Sequence, residues 1–324
     1  MKSKLSKGFY CLLMSTIAAV AVCFVLSGCL KSKMVVKVKK DGSGDIIVTN
    51  IFSKEVVAMI ENQMKEMKNA GAEGAKIDMK DPFYNEEQIK REARKYGPDV
   101  QFVKAVKYDK DGCKGFVAQY SFPDISKVTI PMKNKPFEPD IEPGMVGDEE
   151  NDEIAMGNKN KEGFKFKFEK GDTAKLKIAG PAVPEKKLNA AKADEPAAAV
   201  EQTAEDKAEI QQMMANGNPL GLTGNETQEQ VMKKLFGGMK MTIQVEVDGT
   251  DVKSNATYKS GDNNSRCTLF DMDMDRLMEI PSFMKMMKDG PGGGGNGILD
   301  IYAVTPEDKG ISIEKNKETV VEFK

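Results

Sequence analysis

Histidine and tryptophan are both absent from the 324 residues of this chain. Without histidine there is no Ser–His or Cys–His catalytic pair, no imidazole ligand for zinc, and no ordinary general base near neutral pH. The chain also lacks a basic excess, because 48 lysine and arginine residues stand against 50 aspartate and glutamate residues. We therefore expect no catalytic residues, no metal site, no bound cofactor and no nucleic-acid partner.

The N-terminus has the layout of a secretory signal peptide. Lys2, Lys4 and Lys7 form a basic region, and an apolar stretch follows at residues 9–26. As a helix that rises about 1.5 Å per residue, this stretch would only just cross a bilayer, so an uncleaved anchor is the second choice. We expect residues 1–28 to be a signal peptide that is removed from the mature chain.

The end of the apolar stretch, Leu26-Ser27-Gly28-Cys29, resembles the lipobox of bacterial lipoproteins. The resemblance implies cleavage between Gly28 and Cys29, acylation of the Cys29 thiol, and a further acyl chain on the freed amine. Two or three acyl chains, at about 0.8 kcal/mol per buried methylene, hold a protein stably at a membrane. The alternative is an ordinary signal peptide in which the cysteine occurs by chance.

The resemblance also implies a location. The mature chain would be anchored to membrane lipid outside the cytoplasm, with the covalent lipid on Cys29 as its attached group. Leu30 follows the cysteine where the sorting rule of such lipoproteins uses aspartate for retention. This implies the outer membrane, facing the periplasm, if the cell has two membranes.

The distance between the anchor and the fold is predicted to be short. The first strand is predicted to begin at Met34, so residues 29–33 would form a lipidated tether that reaches no more than about 18 Å. Five lysines would then lie nearest the headgroups: Lys31, Lys33, Lys37, Lys39 and Lys40. They would either bind anionic lipid, at about 1 kcal/mol each, or only keep an edge strand soluble.

The chain has five cysteines. Cys11 and Cys23 would leave with the signal peptide, and Cys29 would be acylated. Cys113 and Cys267 then remain in an oxidising compartment. These two either form a disulfide or stay as separately buried thiols.

The predicted N-terminal part, residues 34–132, combines hairpins with helices. Turn residues at 41–44 and 109–112 separate two pairs of strands. Ser53 and Asn85 are good N-caps, and each precedes a helical pattern. The four strands are predicted at residues 34–40, 45–52, 100–108 and 114–122.

Two segments of unusual composition interrupt the chain. Residues 133–162 are rich in proline, acids, asparagine and lysine and are predicted to be a disordered insertion, whereas residues 180–202 are predicted to be an Ala/Pro/Lys linker. Between them, alternating phenylalanines predict a β-hairpin at residues 163–179.

The predicted C-terminal part, residues 203–324, mixes helical and strand patterns. Helices are predicted at residues 203–214, 226–236 and 273–287, the last bent at Pro281. Strands are predicted at residues 239–247, 253–258, 265–270, 298–304, 311–314 and 319–323. Hairpins grouped with helices predict an α+β fold with a largely antiparallel sheet, several amphipathic helices and two mobile linkers.

Two stretches resemble a known group of proteins. They are "VVKVKKDGSGDI" near the start and "MKMTIQVEVDGTDVKSNATYKSGDNNSRCTLFDMDMDRLM" further on. Both are similar to uncharacterised bacterial lipoproteins and, more remotely, to the LppM-like extracytoplasmic domain. The chain departs from that pattern at Asp248 and Gly249, where proline and glycine usually precede the turn. The resemblance implies an anchored β-rich module and supplies no catalytic residues.

Two patterns in the sequence resemble sets of metal ligands. Asp271, Asp273 and Asp275 alternate like the start of an EF-hand loop, but Arg276 stands where the loop needs glycine. The methionine-rich segment 272–287 offers soft thioethers that suit Cu(I), although core filling is the leading interpretation. We expect no metal at either place.

The leading functional prediction is a non-enzymatic structural or interaction role in the bacterial envelope, with an envelope protein as partner. The alternative is a binding module for a lipid or hydrophobic peptide, in which segment 272–287 forms an adaptable wall. An enzyme ranks third, because Glu86, Glu87 and Asp271 could do acid–base chemistry but no spacing singles out a pair.

Overall fold

The computed structural model describes residues 30–69, 81–132, 163–183, 236–288, 298–306 and 309–324, with the single residues 227, 230 and 233. The predicted signal peptide, Cys29, the predicted insertion and the predicted helix at 203–214 lie outside the described residues. So do most of the predicted linker at 180–202 and most of the predicted helix at 226–236.

The described residues form the following strands, in chain order: β1 (Leu30–Lys39), β2 (Gly44–Phe52), β3 (Gln101–Lys110), β4 (Cys113–Phe122), β5 (Thr129–Pro131), β6 (Gly163–Glu169), β7 (Ala174–Ala179), β8 (Lys240–Asp248), β9 (Lys253–Ser254), β10 (Lys259–Ser260), β11 (Arg266–Asp273), β12 (Ile311–Ile313) and β13 (Glu318–Phe323). The helices are α1 (Lys54–Asn69), α2 (Glu86–Tyr96), α3 (Met274–Leu277), α4 (Pro281–Lys288) and α5 (Ile298–Val304). Within the described part of the chain, no helix is long and apolar enough to cross a membrane.

The strands form two sheets. The large sheet has the order β10-β11-β8-β1-β2-β4-β3, with β12 also paired to β11, and the small sheet has the order β5-β6-β7-β13-β9. The ladder between β1 and β8 is parallel, and the other ladders of the two sheets are antiparallel. The chain therefore has a mixed α+β fold with mostly antiparallel strands, and strands of the predicted N-terminal and C-terminal parts share both sheets.

The predicted hairpins are confirmed, and turn chemistry explains them. In the β1–β2 turn, the Asp41 carboxylate accepts hydrogen bonds from the Ser43 backbone N–H at 2.9 Å and from the Ser43 hydroxyl at 2.6 Å. Gly42 adopts φ +86°, a conformation that glycine reaches without the strain imposed by a Cβ. In the β3–β4 turn, Asp111 and Gly112 take φ values of +56° and +78°.

The first two helices begin at the predicted caps. The Ser53 hydroxyl accepts from the Val56 backbone N–H at 3.3 Å at the start of α1. The Asn85 side chain accepts from the Gln88 backbone N–H at 3.2 Å at the start of α2. Each cap satisfies a backbone donor that the first turn of a helix leaves unpaired.

The core is one cluster of buried side chains that includes residues of both sheets and several helices. Val36 and Tyr120 of the large sheet and Leu176 of the small sheet have no exposed side-chain surface. The Tyr120 hydroxyl donates to the Ile89 carbonyl of α2 at 3.0 Å. We call the core-facing side of the large sheet its inner face and the opposite side its outer face.

Two predicted strands of the C-terminal part are wrong. Residues 298–304 form helix α5, because Ile298, Ile301 and Tyr302 are buried at helical spacing. The strand predicted at 253–258 forms only at its first two residues, as β9 of the small sheet, and β10 of the large sheet starts after it at Lys259. The Asn255 side chain interrupts it by accepting from the Val320 backbone N–H at 2.7 Å.

Candidate functional site

The first described residue, Leu30, opens β1 at one end of the large sheet. We call this the near end. It also contains Phe52 at the close of β2, which lies opposite Leu30, and Lys240 at the start of β8, which lies opposite Lys31. The β3–β4 turn at residues 110–113 lies at the same end, because Lys114 lies opposite Phe52. The far end contains the β1–β2 turn.

The predicted tether at residues 29–33 is wrong. Leu30 and the next three residues belong to β1, and Lys31 is paired with Ile51 on one side and with Lys240 on the other. The Ser32 hydroxyl donates to the Asn50 side chain at 2.8 Å. The lysines at 31 and 33 therefore alternate along a strand, and the chain enters the sheet directly after Cys29.

This start of β1 also separates the five lysines that were predicted to lie nearest the headgroups. Lys39 closes the strand nine residues after Leu30, which corresponds to about 30 Å at roughly 3.3 Å per residue. Lys37 forms an ion pair with Glu246 at 3.6 Å. Lys37, Lys39 and Lys40 thus lie toward the far end, and Lys31 and Lys33 lie at the near end.

The outer face at the near end carries a mixed group of lysine, aliphatic and tyrosine side chains, which we call the outer corner. Two rows of residues cross β1, β2, β4 and β3 here, each row formed by residues that lie opposite one another on adjacent strands. The first row is Lys31, Ile51, Gly115 and Tyr108, and the second row is Lys33, Thr49, Val117 and Val106. Val106 is 52% exposed, whereas the other members are partly buried. The outer corner consists of Lys31, Lys33, Ile51, Val106, Tyr108 and Val117.

Neighbouring groups at the near end shift the pKa values of two residues of the outer corner. Burial, followed by the neighbouring Lys240 ammonium, lowers the pKa of Lys31. Burial, followed by the Cys113 thiol and the Asp111 carboxylate, raises the pKa of Tyr108. The Lys240 ammonium lies 2.9 Å from the Asp273 carboxylate. The near end therefore places Lys31 of the outer corner beside Lys240, and Lys240 also pairs with Asp273.

Cys113 and Cys267 are free thiols in the structure. Cys267 lies on the inner face, opposite Val245, and is 1% exposed. Cys113 begins β4 at the near end, and β8, β1 and β2 separate β4 from β11. At about 4.8 Å per strand the two residues are far beyond the 7 Å limit for a disulfide. The alternative of a disulfide is therefore wrong for this fold, and two separate thiols are present.

The three alternating aspartates serve separate structural purposes. Asp271 accepts from the Thr242 hydroxyl at 2.7 Å, and Asp273 accepts from the Asp275 backbone N–H at 3.1 Å as the cap of α3. Asp275 accepts from the Gly238 backbone N–H at 2.7 Å. Within the described ranges, no three His, Cys, Asp or Glu residues are grouped so that they could hold a metal ion.

The methionine-rich segment 272–287 contributes to the core. Met272 and Met274 have no exposed surface, and Met278 is 4% exposed. These three side chains pack in the same buried cluster as Cys267. They cannot form an open wall for a lipid or peptide without a rearrangement of the core.

A buried carboxylate that the sequence did not single out lies between β12 and β13. Glu314 is 5% exposed. Its carboxylate accepts from the Thr257 backbone N–H at 2.9 Å and hydroxyl at 2.7 Å, and from the Asn316 backbone N–H at 3.1 Å and side-chain amide at 3.0 Å. These bonds fasten the 254–257 segment to the chain after β12. In the sequence, the feature that could have pointed to Glu314 is its position directly after the alternating strand Ile311–Ile313.

Glu86, an acid–base candidate like its neighbour Glu87, lies in the first turn of α2. It accepts from Lys90 in a pair of 2.9 Å, and the hydrogen bond and charge of Lys90 lower its pKa. Asp271 lies on β11, in another part of the fold. The structure therefore does not bring these two carboxylates together as a catalytic pair.

No family model matches the chain, and no protein of the curated set matches it. One solved structure with similarity is the folded domain of LppM from Mycobacterium tuberculosis, determined by NMR. The two share 11% identity, and the match covers 76% of this chain and 85% of that one, with a TM-score of 0.20. This is a weak likeness.

Proposed function

We propose that this chain is a lipid-anchored extracytoplasmic protein, attached through acyl chains on Cys29, with a structural or interaction role in the bacterial envelope that does not involve catalysis. The observation that carries the proposal is the position of the lipobox cysteine directly before the central strand of the large sheet. Leu30, its neighbour, already belongs to β1. The anchor would thus be attached to the fold itself, with no flexible connection.

The sheet is well suited to hold such an anchor. β1 is paired along nearly its whole length with β2 on one side and with β8 on the other. A force applied along β1 from the membrane loads the hydrogen bonds of both ladders together, because the strand must slide past two neighbours. An N-terminal strand at the edge of a sheet would have only one such ladder.

The proposal includes a location. Residues 1–28 would direct export, and cleavage before Cys29 would leave the acylated residue as the new N-terminus. In a cell with two membranes, Leu30 at the next position favours the outer membrane, with the fold in the periplasm. An envelope protein is the proposed partner of the folded part.

Replacement of the anchor cysteine tests the proposal. The Cys29→Ser variant should lose fatty-acid labelling and keep residues 1–28, because the thiol that carries the lipid is missing. The Cys23→Ser variant is the matched control, since it removes a cysteine from the same N-terminal region outside the lipobox; it should be labelled and processed like the parent chain. Normal fatty-acid labelling of the Cys29→Ser variant would contradict the proposal.

A further inference from the structure

We infer that the outer corner rests on the bilayer surface, so that the near end of the large sheet touches the headgroups and the β1–β2 turn points away from them. The inference rests on the proposed function, because it takes the acyl chains on Cys29 as given. It adds the orientation of the fold on the membrane and the side chains that meet the lipid.

Covalent geometry limits where the membrane can lie. The Cα atoms of Cys29 and Leu30 are about 3.8 Å apart, and Lys31 is one residue further along the extended strand. The Cα atom of the acylated residue therefore lies within about 7 Å of the Lys31 Cα atom. By contrast, the β1–β2 turn begins after Lys39, about 30 Å along the strand from Leu30.

The side chains of the outer corner have the chemistry of a membrane interface. Lysines attract anionic headgroups, a tyrosine places an apolar ring and a polar hydroxyl across the boundary, and aliphatic side chains enter the first part of the hydrocarbon. Lys31 and Lys33 lie on the same side of β1 as Ile51 of β2 and Tyr108 of β3. Val106 is one of the two most exposed large hydrophobic residues in the described part of the chain, and the other, Val103, lies on the same strand.

Charge at the corner also favours an anionic surface. Lys31 and Lys240 are directly opposite each other in the parallel ladder. Burial, followed by the charge of Lys240, lowers the pKa of Lys31. A negative headgroup beside the two lysines would be attracted by both charges. Asp273 already offsets part of this charge through its contact with Lys240. The attraction should therefore be modest and sensitive to salt.

The far end is already occupied by the rest of the fold. A Cβ placed on Gly42 would lie 2.6 Å from the Phe168 ring of the small sheet. The Ile125 backbone N–H donates to the Gly42 carbonyl at 2.9 Å. Contact with the small sheet and the chain after β4 thus covers part of the β1–β2 turn.

The absence of tryptophan from the chain allows a direct test. Single tryptophans are introduced by Tyr108→Trp and Val106→Trp at the outer corner, and by Gln101→Trp as the matched control. Gln101 is an exposed residue of the same strand, β3, and lies toward the far end of the large sheet. Each full-length chain is produced with its lipid, placed in vesicles that contain anionic and brominated lipids, and compared with the same sample in unbrominated vesicles.

We expect the Tyr108→Trp and Val106→Trp variants to lose most of their tryptophan emission in brominated vesicles, whereas the Gln101→Trp variant keeps nearly all of it. Equal loss in all three variants would show a sheet that lies flat and would overturn the inference. Retained emission at both corner positions would overturn it as well. Circular dichroism checks that the variants fold, and the Val106→Trp change affects a side chain that is already half exposed.

Mass spectrometry of the N-terminal peptide from the same samples separates the two proposals. A lipid on Cys29 together with retained emission at the corner overturns only the orientation. A chain without lipid overturns the proposed function and, with it, the orientation.

Discussion

The two ends of the large sheet differ in which parts of the fold lie there. At the far end, the β1–β2 turn meets Phe168 of the small sheet, and Phe323 of the same sheet lies 2.7 Å from the position that a Cβ on Gly249 would take. At the near end, β1 and β8 begin and the β3–β4 turn closes a hairpin. The difference teaches that the fold uses one end to join its two sheets, and the N-terminus leaves from the other.

The outer face shows a related contrast in charge. Toward the far end, Glu246 receives hydrogen bonds from Arg266 at 2.6 and 3.0 Å and lies 3.6 Å from Lys37. Toward the near end, Asp271 receives one hydrogen bond from Thr242, and Asp273 is close enough to repel it. The Glu246 carboxylate toward the far end is thus held by two cations, whereas the Asp271 carboxylate toward the near end has a like-charged neighbour.

The largest expected effect concerns the two thiols. Cys113 of the near end is partly exposed, whereas Cys267 is 1% exposed and burial raises its pKa. In the native chain we expect an alkylating reagent to modify Cys113 at least about a thousandfold faster than Cys267, because Cys267 must wait for unfolding. Peptide mass spectrometry over time measures both rates in one sample. Comparable rates would mean that the inner face is open and would remove the contrast.

The next effect compares two glycines in the turns at opposite ends. Gly42 and Gly112 both have positive φ, at +86° and +78°, so alanine strains the backbone similarly at each. Gly42→Ala also forces a Cβ against the Phe168 ring, whereas the Cβ of Gly112→Ala would meet the Lys54 Cβ at 3.0 Å. We expect Gly42→Ala to lower the free energy of unfolding by about 2 to 4 kcal/mol. Gly112→Ala should lower it by about 1 to 2 kcal/mol.

Urea denaturation of the two alanine variants measures these losses. Equal losses would show that the β1–β2 turn is not held against the small sheet. A larger loss for Gly112→Ala would reverse the comparison between the two ends.

The smallest effects are those of the two outer-face carboxylates. Burial opposes ionisation of Glu246, but the hydrogen bonds from Arg266 and the charges of Lys37 and Arg266 outweigh it and lower its pKa. Its contribution is therefore present above the pKa of the unfolded chain and is lost as pH falls through the lower pKa of the fold. Glu246→Gln should cost about 1 to 3 kcal/mol at neutral pH and much less in acid.

Asp271 should show the opposite pH dependence. Asp271 is an exposed residue, but burial of its carboxyl group raises its pKa. The hydrogen bond from the Thr242 hydroxyl opposes this rise, and the charge of the Asp273 carboxylate adds to it. Its contribution to stability is present below the pKa of the unfolded chain and is lost as pH rises through the higher pKa of the fold. Asp271→Asn should therefore leave stability at neutral pH unchanged or slightly higher. Denaturation at several pH values checks both variants, and the same pH trend in each would contradict the charge contrast.

Local sequence was sufficient to predict the elements whose causes are local. Asp41 and Gly42 dictate the first hairpin turn, and the Asn85 cap dictates the start of α2, because each acts on its own neighbours. The helix at residues 298–304 was missed because a short aliphatic run fits either period, and burial of Ile298, Ile301 and Tyr302 decides it.

Long-range features could not be predicted in the same way. The parallel pairing of β1 with β8 joins residues about 200 positions apart, and no local pattern specifies such a partner. It is this pairing, together with β2, that makes Lys31 part of a strand. The candidate site was therefore predicted at Cys29 from its motif, whereas the outer corner depends on register and became visible only in the fold.

The central claim is that the folded chain meets its membrane directly through Cys29. The most direct test is mass spectrometry of the N-terminal peptide of the chain extracted from the membranes of its cell. The account predicts a peptide that begins at Cys29 and carries acyl chains on that residue. A peptide that begins elsewhere, or a Cys29 without lipid, would contradict it.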